Sequence, residues 1–549
     1  MSARTGSWEL QSRYPLRHPR LREAARLADS GQLEPAAALL REHLKEHPGD
    51  PQALHLLGET AKRQGHLRQA LALWEQCVDL APDFAPARFD YARALVDGFR
   101  ADTALAHATE LLKREPRNAD YRALKAFALK ELGDYSGAAE LWRDLIAEHP
   151  GHIAAWTRYA FALRGLGRLD ECISAFRTVI ALNPASGEGW WNLADVKSFR
   201  FGEADIAEME KLIADASLSA RDRVCFHFAL GKAFGDMKKY ETSFGHYAKG
   251  NALHRLSTPH DPDILTSYVA RSKRVFGEEF FRRHSGSGCA DRDPVFIVGM
   301  LRAGSTLVEQ ILASHSQIEA TRELTEIAAI SQHLQQLAAR KGQDYPGVLD
   351  HTGPDVFHGL GGKYLENTKV HRRLGRPFFL DKMGANFAHT GLIELLLPNA
   401  KIIDVRRHPL ACGFSVFSQY FVIGQNNTYR LSDIGRHYHD YVELMDHFDR
   451  VLPGRVHRVF YEDLVAQPER QIRRLLDYLE LPFEEACLQF YGTERAIATV
   501  SAEQVRQPIY RDALERWRNY EPWLGSLKAA LGPVLEAYPA VPEFGAPQA

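Results

Sequence analysis

The sequence has few cysteines, and they form no pattern that binds metal or builds a disulfide framework. Six cysteines are spread over 549 residues, without a CxxC pair or the Cys/His spacing of a zinc module. This distribution excludes small disulfide-rich folds and structural zinc sites built on cysteine. We therefore predict free thiols, no metal cofactor and a reducing compartment.

Charge excess and long apolar runs are absent as well. The 68 Lys and Arg residues against 70 Asp and Glu residues leave a net charge of −2, which excludes the basic surface that a dedicated nucleic-acid-binding protein needs. No run of 18 apolar residues occurs, and the first ten residues lack the apolar segment of a secretory signal. These features predict a cytoplasmic protein with no membrane span and no nucleic-acid partner.

The first half of the chain does contain a repeat of 34 residues. This is the period of the tetratricopeptide repeat, in which pairs of helices stack on one another. In four of the five repeats a glycine marks the turn between the helices, with Phe99 in the remaining one; in all five a small residue allows close packing and a proline follows the second helix. The prolines are Pro48, Pro82, Pro116, Pro150 and Pro184, the glycines are Gly31, Gly65, Gly133 and Gly167, and the small residues are Ala36, Ala70, Ala104, Ala138 and Cys172.

The repeats and the segments that follow them predict a division into domains. Helical patterns extend to about residue 282, after which a polar, glycine-rich stretch has the composition of a linker. We predict an N-terminal tail over residues 1–14, a repeat array over 15–282, a linker over 283–293 and a second domain over 294–546. A stacked array curls into a superhelix whose concave face can hold an extended peptide, so we expect a protein or peptide partner.

The second domain opens with a strand, a loop and a helix that together match a phosphate-binding loop. Residues 294–298 are a short apolar run that predicts a buried strand. The loop after it has the spacing GxxxxGK[ST], except that Ser305 replaces the lysine, and Arg302 supplies the cation. We predict that backbone amides near Gly304 and the hydroxyls of Ser305 and Thr306 hold a phosphate at the helix N-terminus.

A second phosphate subsite is predicted at the end of a later strand. Residues 377–380 and 401–405 read as strands of a parallel sheet, whose carboxyl ends bind ligands. Arg407 follows the second of these strands, and Ser415 lies two helical turns further along. A guanidinium and a hydroxyl so placed can both reach one phosphate. Two phosphate subsites predict a bisphosphorylated nucleotide as the ligand.

These residues resemble the sulfotransferase family, and in particular bacterial proteins that join tetratricopeptide repeats to a sulfotransferase domain. Residues 296–307 are similar to the family's 5′-phosphosulfate loop, and Arg407 and Ser415 match its Arg and Ser eight residues apart. The resemblance implies an α plus α/β fold: a repeat superhelix followed by a P-loop-like α/β domain with a central parallel sheet. It also implies that the co-substrate is 3′-phosphoadenosine 5′-phosphosulfate, and that Arg407 and Ser415 bind its 3′-phosphate.

The resemblance also assigns roles to individual residues. By that likeness the 5′-phosphosulfate is held by Arg302, Gly304, Ser305 and Thr306. Within the family the tyrosylprotein sulfotransferases carry a base glutamate 21 residues after the loop arginine, a position that Glu323 occupies here. The implied catalytic residues are Glu323, Arg302, Lys382 and Ser501, and the further implied donor contacts are Gln504 and Arg516.

Four residues depart from the family's usual loop and base segments, and they keep other functions open. Leu301, Ala303, Ser305 and Arg322 stand where the family usually has Pro, Ser, Thr and Gly.

We expect transfer of the sulfuryl group to an acceptor hydroxyl, with a protein tyrosine as the first candidate and a carbohydrate or small-molecule hydroxyl as the second. An inactive nucleotide-binding domain on a protein-binding scaffold is the alternative, and a homodimer is compatible with the sequence. The missing lysine disfavours an ATP- or GTP-dependent kinase or hydrolase.

Overall fold

The computed structural model describes residues 15–97, 100–421, 424–493, 503–509 and 512–544. The chain divides into two compact units, Met1–Ala175 and Phe176–Ala549. The predicted N-terminal tail, residues 1–14, and the predicted site residue Ser501 lie outside the described residues. All six cysteines lie within them and are buried free thiols, as predicted.

The first unit consists of the predicted repeat helices. Gly31, Gly65 and Gly133 have φ values of 84°, 84° and 82° at the turns inside the helix pairs, a conformation that glycine adopts without steric cost. The helices are Pro19–Asp29 (α1), Leu33–Glu46 (α2), Pro51–Arg63 (α3), Leu67–Leu80 (α4), Ala85–Asp97 (α5), Ala101–Arg114 (α6), Ala119–Glu131 (α7), Tyr135–Glu148 (α8), Ile153–Gly165 (α9) and Leu169–Leu182 (α10), the last of which continues into the second unit.

Small residues let the repeat helices approach closely, as the sequence predicts. The side chain of Ala70 is fully buried, and Trp74, one turn later on α4, is 1 % exposed. The indole lies directly against Gly58 of α3, where any Cβ atom would collide with it. Its Nε1 donates a hydrogen bond to the carbonyl of His55 at 3.2 Å. The core of the unit therefore depends on a large residue of one helix facing a small residue of its neighbour.

The second unit begins with further helices and then forms a parallel sheet. The helices before the sheet are Gly187–Ala194 (α11), Glu203–Ile213 (α12), Ala220–Asp236 (α13), Tyr240–Arg255 (α14), Asp263–Val275 (α15) and Glu278–Arg283 (α16). The strands are Pro294–Gly299 (β1), Ile318–Ala320 (β2), Phe378–Lys382 (β3), Lys401–Arg406 (β4) and Val456–Phe460 (β5).

The strands of this sheet lie in the order β2-β3-β1-β4-β5, and all neighbours are parallel. Every residue of β1 is buried, as expected of the central strand of a covered parallel sheet. The remaining helices are Ser305–Ala313 (α17), Glu326–Arg340 (α18), Pro354–Thr368 (α19), Thr390–Leu396 (α20), Pro409–Phe417 (α21), Leu431–Val451 (α22), Tyr461–Ala466 (α23), Pro468–Tyr478 (α24), Asp512–Glu515 (α25), Gly525–Leu531 (α26) and Pro533–Ala537 (α27).

Helix α14 packs against the part of the second unit that carries Ser415. The Phe244 ring stacks on Phe417 of α21 and on Trp523, with ring centroids 5.7 and 5.6 Å apart. The side-chain amide of Asn251 donates to the carbonyl of Phe417 at 2.9 Å, and the Ser243 hydroxyl lies 3.1 Å from that of Tyr520. Helices that precede the sheet in sequence thus share a core with the helix at the predicted second phosphate subsite.

The division into compact units lies elsewhere than the predicted linker. Residues 283–293 follow α16 directly and lead into β1, whereas the boundary between the units falls at Ala175 and Phe176 in the sequence. The physical reason is that the helices from Phe176 to Arg283 bury apolar and polar side chains against α21 and α22, an example being the Lys273 ammonium, 2.6 Å from the Glu443 carboxylate. Residues 282 and 294 remain predicted boundaries of the sequence domains. Within the described residues, no helix is long and apolar enough to span a membrane.

This packing predicts which truncations the chain tolerates. A fragment of residues 186–549 keeps α14 and should unfold cooperatively, whereas a fragment of residues 294–549 uncovers Phe417, Tyr520 and Trp523. Losing the packing partner of one large buried aromatic costs about 3–5 kcal/mol, so we expect the shorter fragment to lose its cooperative transition. Thermal unfolding followed by circular dichroism measures both fragments. Equal transition temperatures would contradict this account of the packing.

Candidate active site

The predicted site residues gather at the carboxyl edge of the sheet. In the register of the central strands, Ile297 of β1 pairs with Lys382 of β3, and Gly299 of β1 pairs with Val405 of β4. From β1 the chain leads to β2 and β3 on one side of that strand and then to β4 and β5 on the other. The crevice at such a change of direction is where α/β sheets bind ligands.

The loop after β1 holds Arg302 in an unusual backbone conformation. Its φ is 65°, in the left-handed region that costs a residue with a side chain roughly 1–2 kcal/mol. The Arg302 side chain donates from Nε to the Ser415 hydroxyl at 3.1 Å, and its backbone carbonyl accepts from the Arg407 guanidinium at 3.2 Å. The structure therefore brings together the three residues that the sequence places at two phosphate subsites.

Tyr461 completes this cluster, although the sequence interpretation missed it. Gly304 has a φ of 105°, and a Cβ atom there would lie 2.5 Å from the Tyr461 ring. The Arg407 guanidinium lies over the same ring, 4.8 Å from its centroid, which is within the range of a cation–π interaction. Its place in the sequence could have identified it as a site residue, because Tyr461 directly follows β5 and so lies at the same edge of the sheet as the other strand ends.

The helix after the loop begins at the predicted hydroxyl residues. Ser305 is the first residue of α17, Gly304 is its N-cap, and Thr306 is buried at 7 % exposure. A helix N-terminus presents unpaired backbone amides and a positive dipole end, which suit an anion. This arrangement can hold the phosphosulfate end of a nucleotide without a lysine in the loop.

Lys382 joins the end of β3 to this helix and to the predicted base. Its ammonium forms an ion pair with Glu323 and lies 3.9 Å from the Glu309 carboxylate of α17. Lys382 is buried, whereas just over half of the Glu323 side chain is exposed. A buried cation and an accessible carboxylate thus meet beside the loop. Glu309 was missed from the sequence, where it reads as an ordinary polar position of an amphipathic helix.

Behind Lys382 lies a buried carboxyl group that belongs to the same strand. Asp381 is fully buried and accepts a hydrogen bond from the Tyr364 hydroxyl at 2.9 Å. Burial raises the pKa of Asp381 well above its usual value. Burial also raises the pKa of Glu326, a second carboxyl three residues after Glu323. A carboxyl with a raised pKa holds its proton more strongly than one at its usual value.

A buried ion network fixes the end of β4 beneath Arg407. Asp404 accepts from Arg406 at 3.1 Å and from Arg458 at 2.9 Å. Burial alone would raise the pKa of Asp404, but the two guanidinium groups outweigh it and hold that pKa below its usual value. The carboxylate of Glu462 accepts the backbone amide of His408 at 3.0 Å. These contacts fix the backbone on both sides of Arg407.

The remaining predicted residues lie farther along the chain. Ser501 and the side chain of Gln504 lie outside the described residues. Arg516 interacts through its guanidinium with Tyr247, Tyr520 and Asp236, against helices α13 and α14. The roles of these three residues in donor binding remain predictions.

Known protein families match both the repeat region and the domain that contains the sheet. Residues 294–485 match the sulfotransferase family. Residues 11–152 match the tetratricopeptide-repeat domain of cytochrome c-type biogenesis protein H, and residues 129–195 match the tetratricopeptide repeat. The sulfotransferase match begins at Pro294, the first residue of β1.

Individual relatives extend these matches. An uncharacterized protein of Aquifex aeolicus is 28 % identical, with 91 % of this chain and 67 % of that protein covered. Protein-tyrosine sulfotransferase A of Caenorhabditis elegans is 25 % identical over 41 % of this chain and 60 % of its own length. Human protein-tyrosine sulfotransferase 1 is 27 % identical over 47 % of this chain and 73 % of its own length. The match to the nematode enzyme therefore covers only about three fifths of that enzyme's length.

Two solved structures show partial likeness. The sulfotransferase domain of the Synechococcus PCC 7002 olefin synthase aligns with a TM-score of 0.32 at 21 % identity, covering 42 % of this chain and 89 % of that domain. MamA from Desulfovibrio magneticus RS-1 aligns with a TM-score of 0.29 at 17 % identity, covering 31 % of this chain and 97 % of MamA. Together with the family matches, the site geometry leads to one conclusion: the chain combines tetratricopeptide repeats with a domain of the sulfotransferase family.

Proposed function

We propose that this sulfotransferase domain uses 3′-phosphoadenosine 5′-phosphosulfate as its donor. The observation that carries the proposal is the cluster of Arg302, Arg407 and Ser415, joined by hydrogen bonds of 3.1 and 3.2 Å. One guanidinium comes from the loop at a helix N-terminus and the other from the end of β4, so the cluster offers positive charge toward two phosphates. Charge-assisted hydrogen bonds from arginine are well suited to hold both groups.

The chemistry at this site is an in-line displacement at sulfur. The acceptor hydroxyl oxygen forms a bond to sulfur while the bond from sulfur to the 5′-phosphate oxygen breaks. The hydroxyl proton passes to the Glu323 carboxylate, and the negative charge on the departing phosphate is stabilised by Arg302 and Lys382. Positioned cations of this kind stabilise charge that develops in the transition state, and the ion pair between Lys382 and Glu323 supports these roles.

We propose a protein tyrosine as the acceptor and the repeat helices as a protein-binding region. The support is the similarity to the nematode and human protein-tyrosine sulfotransferases, together with the protein-binding character of stacked helical repeats. A carbohydrate or small-molecule hydroxyl is the second candidate. A cytoplasmic location is retained from the sequence.

Incubation with a donor labelled in its sulfuryl group tests the proposed reaction. The full chain, labelled donor and a cell extract should yield label in protein that is recovered as sulfotyrosine after hydrolysis. Label found in carbohydrate or small molecules would keep the reaction and replace the acceptor. Binding of the nucleotide without transfer of label to any fraction would indicate the inactive scaffold.

Replacing the proposed base should separate catalysis from binding. Glu323→Gln keeps size and hydrogen bonding but cannot accept the proton, so we expect turnover to fall by about 10² to 10⁴ while donor affinity stays within a few-fold. Arg302→Ala should lower both, because Arg302 is proposed to contact the bound donor and the departing oxygen. Single-turnover transfer and calorimetry of the product nucleotide measure the two effects.

Glu326→Gln is the matched control for the base. It makes the same chemical change three residues away, at the first residue of α18, and should leave turnover near normal. Near-normal turnover in Glu323→Gln together with a large loss in Glu326→Gln would transfer the role to Glu326. Equal loss of donor binding in Glu323→Gln and Arg302→Ala would show that Glu323 is structural.

A further inference from the structure

Three histidines meet at the N-terminal end of the repeat array. His18 precedes α1, His43 lies in the last turn of α2, and His47 is the C-cap of α2. One ring nitrogen from each histidine lies within 4.8 Å of those of the other two. The His43 ring lies between its neighbours, with centroids 4.6 Å from His18 and 4.8 Å from His47. Neutral imidazole nitrogens in such a group are the ligands that zinc and similar divalent ions prefer.

The hydrogen bonds of His43 leave one nitrogen available for a metal. His43 is 1 % exposed, and its Nε2 lies 2.8 Å from the Asp50 carboxylate. A carboxylate can only accept, so Nε2 carries the ring proton and Nδ1 keeps its lone pair. That Nδ1 is buried and has no hydrogen-bond partner among the residues that the structure describes. A buried acceptor without a partner costs free energy unless a ligand satisfies it.

The other two histidines can complete the set. His18 accepts the backbone amide of Arg20 at its Nδ1, at 3.1 Å, so binding of a metal at Nε2 would move the ring proton to Nδ1 and replace this hydrogen bond. His47 is exposed, and it follows His43 by four residues, the spacing that places two side chains on one face of a helix. The nearby Arg20 charge is paired with Glu46 at 2.9 Å.

We propose that His18, His43 and His47 bind one divalent transition-metal ion, with zinc as the expected ion. Three imidazoles and a water make a tetrahedral zinc site, with zinc to nitrogen distances of about 2.0–2.1 Å. Asp50, through its hydrogen bond to His43, would orient the ring from outside the coordination sphere. The ion would link the segment before α1 to the end of α2.

The cluster of His55, Glu59 and Asp90 is the other candidate for a metal in this unit, and it carries no such proposal. The His55 Nε2 lies 2.8 Å from Asp90, and Arg93 donates to the same carboxylate at 2.7 Å. These ion pairs already satisfy the carboxylate. We therefore do not expect this cluster to bind a second ion.

Titration of the tag-free, metal-stripped full chain with Co²⁺ tests the site. We expect saturation at one ion per chain, with the intense visible absorption of tetrahedral cobalt, and displacement of that absorption by Zn²⁺. His47→Ala, an exposed position, should weaken binding at least tenfold, whereas His66→Ala, at an exposed histidine outside the cluster, should leave it unchanged. Absence of saturable binding, or equal affinity in the wild type and His47→Ala, would overturn the proposal.

Asp50→Asn provides a second test that keeps the local fold. Asp50 caps α3 by accepting the amide of Gln52 at 2.9 Å, and asparagine caps helices equally well. An asparagine amide, however, can donate to His43 Nε2, which would move the ring proton to Nδ1 and block the metal. We expect about a 10–100-fold loss of Co²⁺ affinity with an unchanged circular dichroism spectrum. Unchanged affinity would contradict the assigned role of Nδ1.

Discussion

The left-handed backbone at Arg302 is the constraint on which the site depends. A residue with a side chain adopts this conformation only where its surroundings stabilise it. Here the stabilising contacts are hydrogen bonds with Arg407, at the end of β4, and with Ser415 of α21. The loop at the first proposed phosphate subsite is therefore fixed by the residues of the second proposed subsite. Gly304 and Tyr461 close the loop from the other side.

The position of Arg407 depends in turn on the buried ion network at the end of β4. Asp404, Arg406 and Arg458 are held by one another, and breaking such a buried set by removing one partner costs about 3–5 kcal/mol. Helix α14 adds a second support, because its aromatic contact with Phe417 holds the helix that carries Ser415. The helices from Phe176 to Arg283 thus belong to the same compact unit as the sheet.

Much of the fold was predictable because its signals are periodic. The repeat of 34 residues predicted the helix pairs of the first unit, and the apolar runs before Gly299 and Arg406 predicted β1 and β4. Strand β2 was missed because three residues are too short for a pattern, and β5 because His457 and Arg458 interrupt its apolar character. The cluster of Arg302, Arg407 and Ser415 was predictable from spacing, whereas Glu309 and Tyr461 required the three-dimensional packing.

The account rests on one site that recognises two phosphates at once, and calorimetry of the full chain tests this most directly. 3′-Phosphoadenosine 5′-phosphate and AMP differ only in the 3′-phosphate that Arg407 and Ser415 are proposed to bind. Hydrogen bonds to charged groups contribute about 1.5–3 kcal/mol each, so we predict that the bisphosphate binds at least tenfold more tightly. Equal affinities for the two nucleotides would contradict the account.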